Sequence, residues 1–234
     1  MFLSIIIPVY NEETTIIQIL KKVNNQKKKL NLEVIVSNDG SNDKTLELVK
    51  ENSHLYNKLI SNETNMGKGH AIKQALNYVN GNVILIQDAD LEYDPEDYEK
   101  LLNPIVQGIS NVVYGSRVLN YKNRYNATKS FTSIIRIFGN HMLTIISNIF
   151  NNQNLTDAHT CYKVFTSSVI KKIKLEHDDF SFCPEITSKI SKIGEKIVEV
   201  PINYKGRSFD EGKKISIIDA FIALFTIIKF KMLK

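Results

Sequence analysis

The run Gln87-Asp-Ala-Asp-Leu-Glu-Tyr-Asp-Pro95 places four carboxylates, Asp88, Asp90, Glu92 and Asp94, within seven residues. Asp88, Asp90 and Glu92 alternate, so on an extended segment their side chains share one side, a few ångströms apart. Carboxylates that close repel one another unless a proton or a cation joins them. Hard oxygen ligands select Mg2+ or Mn2+, and Mg2+ is normally completed by substrate phosphates and water. The expected ligand therefore carries a diphosphate. Asp94 precedes Pro95 and a helical pattern, and is expected to cap that helix rather than to hold a metal.

Basic side chains complement these acids. Arg117 closes Tyr-Gly-Ser-Arg, and Arg124, Lys129 and Arg136 follow. Arg207, Lys213 and Lys214 lie in Lys-Gly-Arg-Ser-Phe-Asp-Glu-Gly-Lys-Lys, where Gly206 and Gly212 would let the loop fold over a ligand. Arginine suits bidentate phosphate binding. The stretch Asn65-Met-Gly-Lys-Gly-His-Ala71 opens a helix with a glycine turn and a lysine, but has neither P-loop spacing nor the full dinucleotide fingerprint. These glycines follow the third strand, with no acid paired to them at the right distance, which disfavours a nicotinamide-dependent oxidoreductase.

Positioning these groups requires strands that end where they begin. Short β-branched runs at Leu3 to Val9, Leu32 to Val36, Lys58 to Ile60, Asn82 to Gln87 and Val112 to Tyr114 alternate with helical patterns. The helices are expected at Thr14 to Asn24, Lys44 to Glu51, Gly69 to Val79 and after Pro95. Such alternation implies right-handed crossovers and a mainly parallel α/β sheet with helices on both faces. Ligands then sit beyond the carboxyl ends of the strands. The first strand ends in Pro-Val-Tyr-Asn-Glu12, the second in Ser37-Asn-Asp-Gly-Ser41 and the fourth in Asp88-Ala-Asp90, so three strands deliver polar groups to one edge. Beyond a polar loop at 120–128, an amphipathic helix is expected over Phe131 to Phe150. Further elements are expected at Cys161 to Phe165, Pro184 to Ile193 and Lys196 to Tyr204. The whole chain of 234 residues reads as one domain, with 1–117 as the nucleotide and metal half and 118–234 as the part that completes the site.

Composition narrows the partners. Forty-three per cent hydrophobic residues suffice for a core, and a net charge of +5, from 30 bases against 25 acids, is too dispersed to indicate nucleic acid. It suits phosphate-bearing ligands or an anionic membrane surface. Cys161 and Cys183 have neither a disulfide framework nor zinc-ligand spacing. The first residues lack a basic segment before an apolar run that stops at Pro8, so no signal peptide is expected, and the protein is expected in the cytoplasm. Charges interrupt the apolar stretch Ile215 to Leu233, which reads as a terminal helix packed on the domain or as one lying on a membrane interface.

Taken in order, SIIIPVYNEE, SNDGSNDKT, NMGKGHAI, QDADLEYDP, YGSR, LTDAHTCYKVF, FCPEITSKI and EVPINYKGRSFDEGKK resemble family 2 of the glycosyltransferases. The likeness is to the dolichol-phosphate mannose and glucose synthase group, which has a GT-A fold. It runs through nearly the whole chain. It implies metal-dependent, inverting transfer of a hexose from a UDP- or GDP-sugar to a polyprenyl phosphate, at the cytoplasmic face of a membrane. On the donor side it implies that Pro8, Tyr10, Asn11 and Glu12 border the nucleoside, with Asp39 on the base and Ser37 close by. Lys68 would reach the nucleotide, Asp88 the donor sugar or ribose, and Ala89 would line the same pocket. Asp90 and Glu92 would ligate Mg2+ or Mn2+, and Arg207 with Lys213 would close over the diphosphate. Arg117 and Arg136 would bind the acceptor phosphate, so Asp88, Asp90 and Arg117 stand as the catalytic set.

This chain departs from the family pattern at three points. Glu92 stands where relatives often have Gln, Asn38 replaces the first Asp of Asp-Asp-Gly-Ser, and Cys161 replaces a common Gly beyond Asp157. A lipid phosphate is already anionic at neutral pH and needs no general base, whereas a sugar hydroxyl does. Transfer to a sugar hydroxyl, and a catalytically silent nucleotide-sugar-binding subunit, are the alternative readings.

Overall fold

A computed structural model describes residues 1–119, 131–207, 225–227 and 229–230, with side chains from 137 onward in the second of these stretches. Seven strands are present: β1 (Leu3–Val9), β2 (Leu32–Asn38), β3 (Lys58–Ser61), β4 (Val83–Ile86), β5 (Val112–Ser116), β6 (Lys163–Thr166) and β7 (Ile197–Pro201). The helices are α1 (Ile16–Asn25), α2 (Thr45–Glu51), α3 (Lys68–Leu76), α4 (Tyr98–Val106), α5 (Phe131–Asn151), α6 (Ser167–Ile170) and α7 (Phe182–Lys192).

The strands form one sheet in the order β3-β2-β1-β4-β6-β5-β7. Pairings β1–β2, β1–β4, β2–β3 and β5–β7 are parallel, as the alternation of strands and helices predicts. Strand β6 is antiparallel to both β4 and β5, between which it lies.

All seven residues of β1 and of β2 are buried, as expected of strands covered on both faces. Their side chains point alternately to the two sides, and so feed two cores. Ile5, Ile7, Val34, Val36 and Leu85 pack with Ile16, Leu20 and Leu101 on one face. Ile6, Ile35, Ile84 and Ile86 pack with Ile72, Ala75, Phe182 and Ile186 on the other. Helix α1 buries Ile16, Ile19, Leu20 and Val23, the spacing of a single helical stripe.

Strand β7 ends at Pro201 rather than Tyr204, and residues 202–207 leave the sheet to cross the carboxyl edge. The terminal helix expected over Ile215 to Leu233 falls mostly outside the described residues, of which 225–227 and 229–230 are helical.

Candidate active site

Strands β1 and β2 run in register with Pro8 opposite Ser37, so their ends deliver Tyr10 to Glu12 and Asp39 to one corner. The chain turns sharply there, with Asn11 at φ 51° and Gly40 at φ 66°. The Asn11 amide donates to Ser41 Oγ (3.0 Å) and its side-chain oxygen accepts from the Asn42 amide (2.8 Å), which ties the two turns together. The Glu12 amide donates to Thr45 Oγ1 at 2.8 Å. Asp39 is buried, and its carboxylate accepts from Asn62 Nδ2 (2.8 Å), Asn65 Nδ2 (3.0 Å), Met66 N (3.0 Å) and Gly67 N (2.7 Å). It therefore holds the whole loop that leads into Lys68. Ser37 Oγ and Asn38 Oδ1 beside it are buried without hydrogen-bond partners among the described residues.

Gly67 completes that loop at φ 105°, and a β-carbon there would lie 2.4 Å from the Asp178 carbonyl oxygen. Gly67→Ala is expected to lower stability by about 2–3 kcal/mol, since it combines a disfavoured backbone angle with a clash against main chain. Urea denaturation of the two proteins side by side checks this.

Beyond β4 the expected extended arrangement is absent. Residues 89–92 form a turn, with Leu91 at φ 62°, so the two-residue alternation breaks between Asp90 and Glu92. The three acids consequently take three settings. Asp88 is buried and pairs with Lys68 Nζ at 2.5 Å, while Lys68 Nζ also lies 3.5 Å from Cys161 Sγ. Burial opposes ionisation of Asp88, but the Lys68 ammonium overrides it and holds the carboxyl below its usual range. Asp90 accepts from the Glu92 amide at 3.1 Å; burial first, and then the charges of Asp88 and Glu92, push it up to about 7. Glu92 turns away, its two oxygens accepting from Tyr204 Oη (2.8 Å) and the Arg207 amide (2.7 Å). Asp94 accepts from the Glu96 amide at the head of a turn opened by Pro95, the capping role expected of it.

The cationic half converges on the same edge. Arg207 forms a two-pronged pair with Glu12, both contacts at 2.9 Å, and reaches Asp90 Oδ2 at 3.4 Å. Arg117, at the end of β5, donates from Nε and Nη2 to the two oxygens of Asp157, both at 2.7 Å, and from its amide at 3.1 Å. Its guanidinium lies 5.2 Å from the centre of the Tyr204 ring and is close enough to Asp88 to favour that carboxylate's charge. Asn140 of α5 adds a 3.2 Å contact to Asp157. Glu199 of β7 accepts from the Thr156 and Asp157 amides, at 2.6 and 2.9 Å, and so braces the turn that carries Asp157. Arg136 lies on α5 with its side chain outside the described residues, as do Arg124, Lys129, Lys213 and Lys214 entirely.

Tyr204 and the Arg117–Asp157 pair are the site features that motif spacing does not signal; their partners lie 40 or more residues away in sequence. Next to that pair, His159 feels the charges of Lys163, Asp157 and Arg117. Burial first, and then Lys163, push its imidazole down to about 4 from 6.5. An unfolded chain therefore takes up a proton between those values that the folded chain refuses, so this group removes stability as pH falls from 6.5 towards 4. His159→Gln is expected to flatten that part of the acid limb, read from urea midpoints at about pH 7 and about pH 4.5.

Among the described residues no three His, Cys, Asp or Glu side chains are placed to hold a metal ion together. The arrangement does fit a divalent ion of the kind bound by one or two carboxylates and completed by substrate phosphates. Asp90 is a half-buried carboxylate at the strand edge, pressed by two neighbouring acids, with a long, shared contact to a guanidinium as its one counter-charge among the described residues. Asp90 would be the principal protein ligand, with Glu92 behind it.

Residues 4–174 match the model of glycosyl transferase family 2, and the chain belongs to that family. It is 31% identical over 220 residues to a dolichyl-phosphate beta-glucosyltransferase of Trichomonas vaginalis, covering 87% of this chain and 65% of that protein. It is 29% identical over 217 residues to a dolichol-phosphate mannosyltransferase of Pyrococcus furiosus, covering 91% of this chain and 59% of that one. An uncharacterized protein of Methanocaldococcus jannaschii is 30% identical over 231 residues, covering 97% of this chain and 91% of its own length. The chain thus spans less than two thirds of the two named transferases. Glucosyl-3-phosphoglycerate synthase of Mycobacterium tuberculosis, solved with Mn2+, uridine diphosphate and phosphoglyceric acid, superimposes with a TM-score of 0.74 at 15% identity. That likeness covers all of this chain and 79% of the synthase. The fold is of the GT-A type.

Proposed function

We propose that this chain is a metal-dependent, inverting hexosyltransferase that moves a sugar from a nucleoside diphosphate to a polyprenyl phosphate. The observation that carries the acceptor assignment is the Arg117–Asp157 pair. A sugar hydroxyl would need a carboxylate base. Asp157, the acid nearest Arg117, is fully buried, with both oxygens accepting from that guanidinium and one from Asn140 as well. A carboxylate so engaged is a poor proton acceptor, whereas a fixed guanidinium beside Asp88 suits an anionic nucleophile. The relatives named for transfer to dolichyl phosphate support the same reading.

In this reaction an oxygen of the acceptor phosphate attacks the anomeric carbon of the donor. The bond from that carbon to the diphosphate breaks on the opposite face, and the nucleoside diphosphate leaves with the electron pair. A phosphate monoester is largely dianionic at neutral pH, with a second pKa of about 6, so no proton has to be removed first. Arg117 holds the incoming phosphate, and Asp157 keeps its fork in one orientation. Asp88, neutralised by Lys68, faces the donor sugar, and Arg207 supplies positive charge to the departing diphosphate. A divalent ion at Asp90 would contribute further charge stabilisation to the leaving group. Glucose or mannose, carried on UDP or GDP, are the candidate donors. A panel of these donors with a polyprenyl phosphate and Mg2+ or Mn2+, with products identified by mass spectrometry, tests the assignment. Transfer only to free saccharides would refute it.

A lipid acceptor places the site at a bilayer. Helix α5 exposes Phe138 (65%), Met142 (42%), Ile145 (40%) and Ile149 (73%), which follow one another at helical spacing on one face. No helix among the described residues is long and apolar enough to cross a membrane. This stripe is suited to lie in the interface. The protein is expected to float with liposomes containing anionic lipid, and Phe138→Glu with Ile149→Glu to lower the floated fraction about tenfold or more.

A further inference from the structure

Four acids around the site, Glu12, Asp90, Glu92 and Asp97, are all touched by one short segment, residues 203–207. Tyr204 pairs with Tyr93 in an isolated antiparallel bridge. The Lys205 amide donates to the Glu92 carbonyl at 2.9 Å, and Glu92's carboxylate takes the Tyr204 hydroxyl and the Arg207 amide. Asp97, fully buried, accepts from the amide and side chain of Asn203 at 2.6 and 3.0 Å. The root of Arg207 is thereby fixed over the turn that carries Asp90, and its guanidinium reaches from there to Glu12 and Asp90.

The two ends of that reach are unequal. The contacts to Glu12 are a parallel fork at 2.9 Å, the strong geometry for a guanidinium and a carboxylate. The contact to Asp90 is a single one at 3.4 Å, made by a nitrogen already committed to Glu12. Arg207 Nε is buried and has no hydrogen-bond partner among the described residues, so one of its donors is open to a ligand. A guanidinium in this position occupies the charge environment that a divalent ion would use. The two cations cannot both sit against Asp90 without repelling each other.

We propose that Arg207 acts as the resident counter-cation of the donor site before the donor binds, occupying the gap between Glu12 and Asp90, and that the donor's diphosphate draws it off Asp90 to admit the metal. Glu12 is a positioning residue in this scheme: it keeps Arg207 within reach of the diphosphate while Asp90 changes partner. The inference rests on the transferase reading and adds an order to it. Metal and nucleotide bind together rather than metal first, and by linkage each raises the other's affinity by the same factor.

The test is Mn2+ binding followed by electron paramagnetic resonance, without donor turnover, in the presence and absence of UDP or GDP. Wild type is expected to bind Mn2+ weakly alone and about tenfold or more tightly with the nucleotide. Arg207→Gln is expected to tighten Mn2+ binding in the absence of nucleotide by about tenfold and to reduce the gain that the nucleotide brings. Lys205→Gln removes a charge from the same segment whose side chain is exposed, and is expected to change Mn2+ binding less than about twofold. Arg207→Lys, which keeps the charge but loses the fork, is expected to fall between, and stands in if the glutamine variant fails to fold. Wild type that binds Mn2+ equally well with and without nucleotide overturns this inference and leaves the transferase reading intact. The same holds for an Arg207→Gln protein that binds Mn2+ no more tightly than wild type, or for Lys205→Gln acting as strongly as Arg207→Gln. Wild type that binds no nucleotide with Mn2+ overturns both.

Discussion

Asp90→Ala is expected to reduce transfer by about a thousandfold or more while leaving the protein folded. The size of the effect follows from where the side chain lies. Asp90 stands at the carboxyl edge of the sheet, beyond β4, and is pushed up to about 7 by burial and by the charges of Asp88 and Glu92. In the proposed reaction a divalent ion at Asp90 would hold this carboxylate in its charged form and would also stabilise the leaving diphosphate. Removing it takes away charge stabilisation that is required only as the bond to the diphosphate breaks, so kcat should fall more than donor KM rises. Stability should not fall with it, because the substitution also removes a repulsion among three acids. Asp94→Ala, four residues along the same acidic run, is the control. It should leave turnover within about threefold and cost about 1 kcal/mol of stability through the lost cap. Initial rates for both variants, with near-ultraviolet circular dichroism to confirm folding, separate the two roles.

The second large effect belongs to Arg117. Its guanidinium and Asp157 form a pair whose carboxylate is fully buried. Truncating one member of such a pair leaves the other as an uncompensated charge, at a cost of about 3–5 kcal/mol. Arg117→Ala is therefore expected to lose both stability and turnover, and by itself would not tell a structural role from a phosphate-binding one. Arg117→Lys is more discriminating. It keeps a positive charge beside Asp157 but cannot reproduce the two parallel contacts, so the remaining charge should place the acceptor phosphate less well. We expect acceptor kcat/KM to fall about a hundredfold, with donor binding changed less than about threefold. Equal losses toward donor and acceptor would place Arg117 in the donor site instead. Titration of each substrate at saturating levels of the other makes the distinction.

These expectations depend unequally on what the sequence displays. Strands β1 and β2 could be placed closely because β-branched, largely apolar runs followed by Asn, Asp and Gly admit few other readings. The Asp94 cap was legible for the same local reason, a carboxylate set immediately before a proline. Strand β6 was harder to read: it is four residues long, and nothing in Lys-Val-Phe-Thr indicates that it enters antiparallel between β4 and β5. The turn at 89–92 misled the alternation rule, because Leu91 takes a left-handed backbone angle without a glycine to announce it. With the chain turning through 89–92, the three acids no longer alternate along one extended segment, and Glu92 is free to take other partners. It then faces a segment more than 100 residues distant.

The cationic half was legible in residue type but not in partnership. Arg117 and Arg207 stand out as arginines at the ends of motifs, yet Asp157 and Glu12, which orient them, are 40 and 195 residues away in sequence. Pairings of that kind arise from how the sheet brings strand ends together, which residue spacing does not encode. The mutual placement of Glu12, Asp90 and Arg207 is consequently the part of the site that required the fold.

The assignment of a phosphate acceptor can be tested on the acceptor itself. Phosphorus NMR of a short polyprenyl phosphate, incubated with enzyme, Mg2+ and a matched UDP- or GDP-hexose, should show the monoester resonance converted to that of a phosphodiester as nucleoside diphosphate accumulates. A monoester signal that persists unchanged, while a saccharide supplied in the same tube becomes glycosylated, would contradict the account.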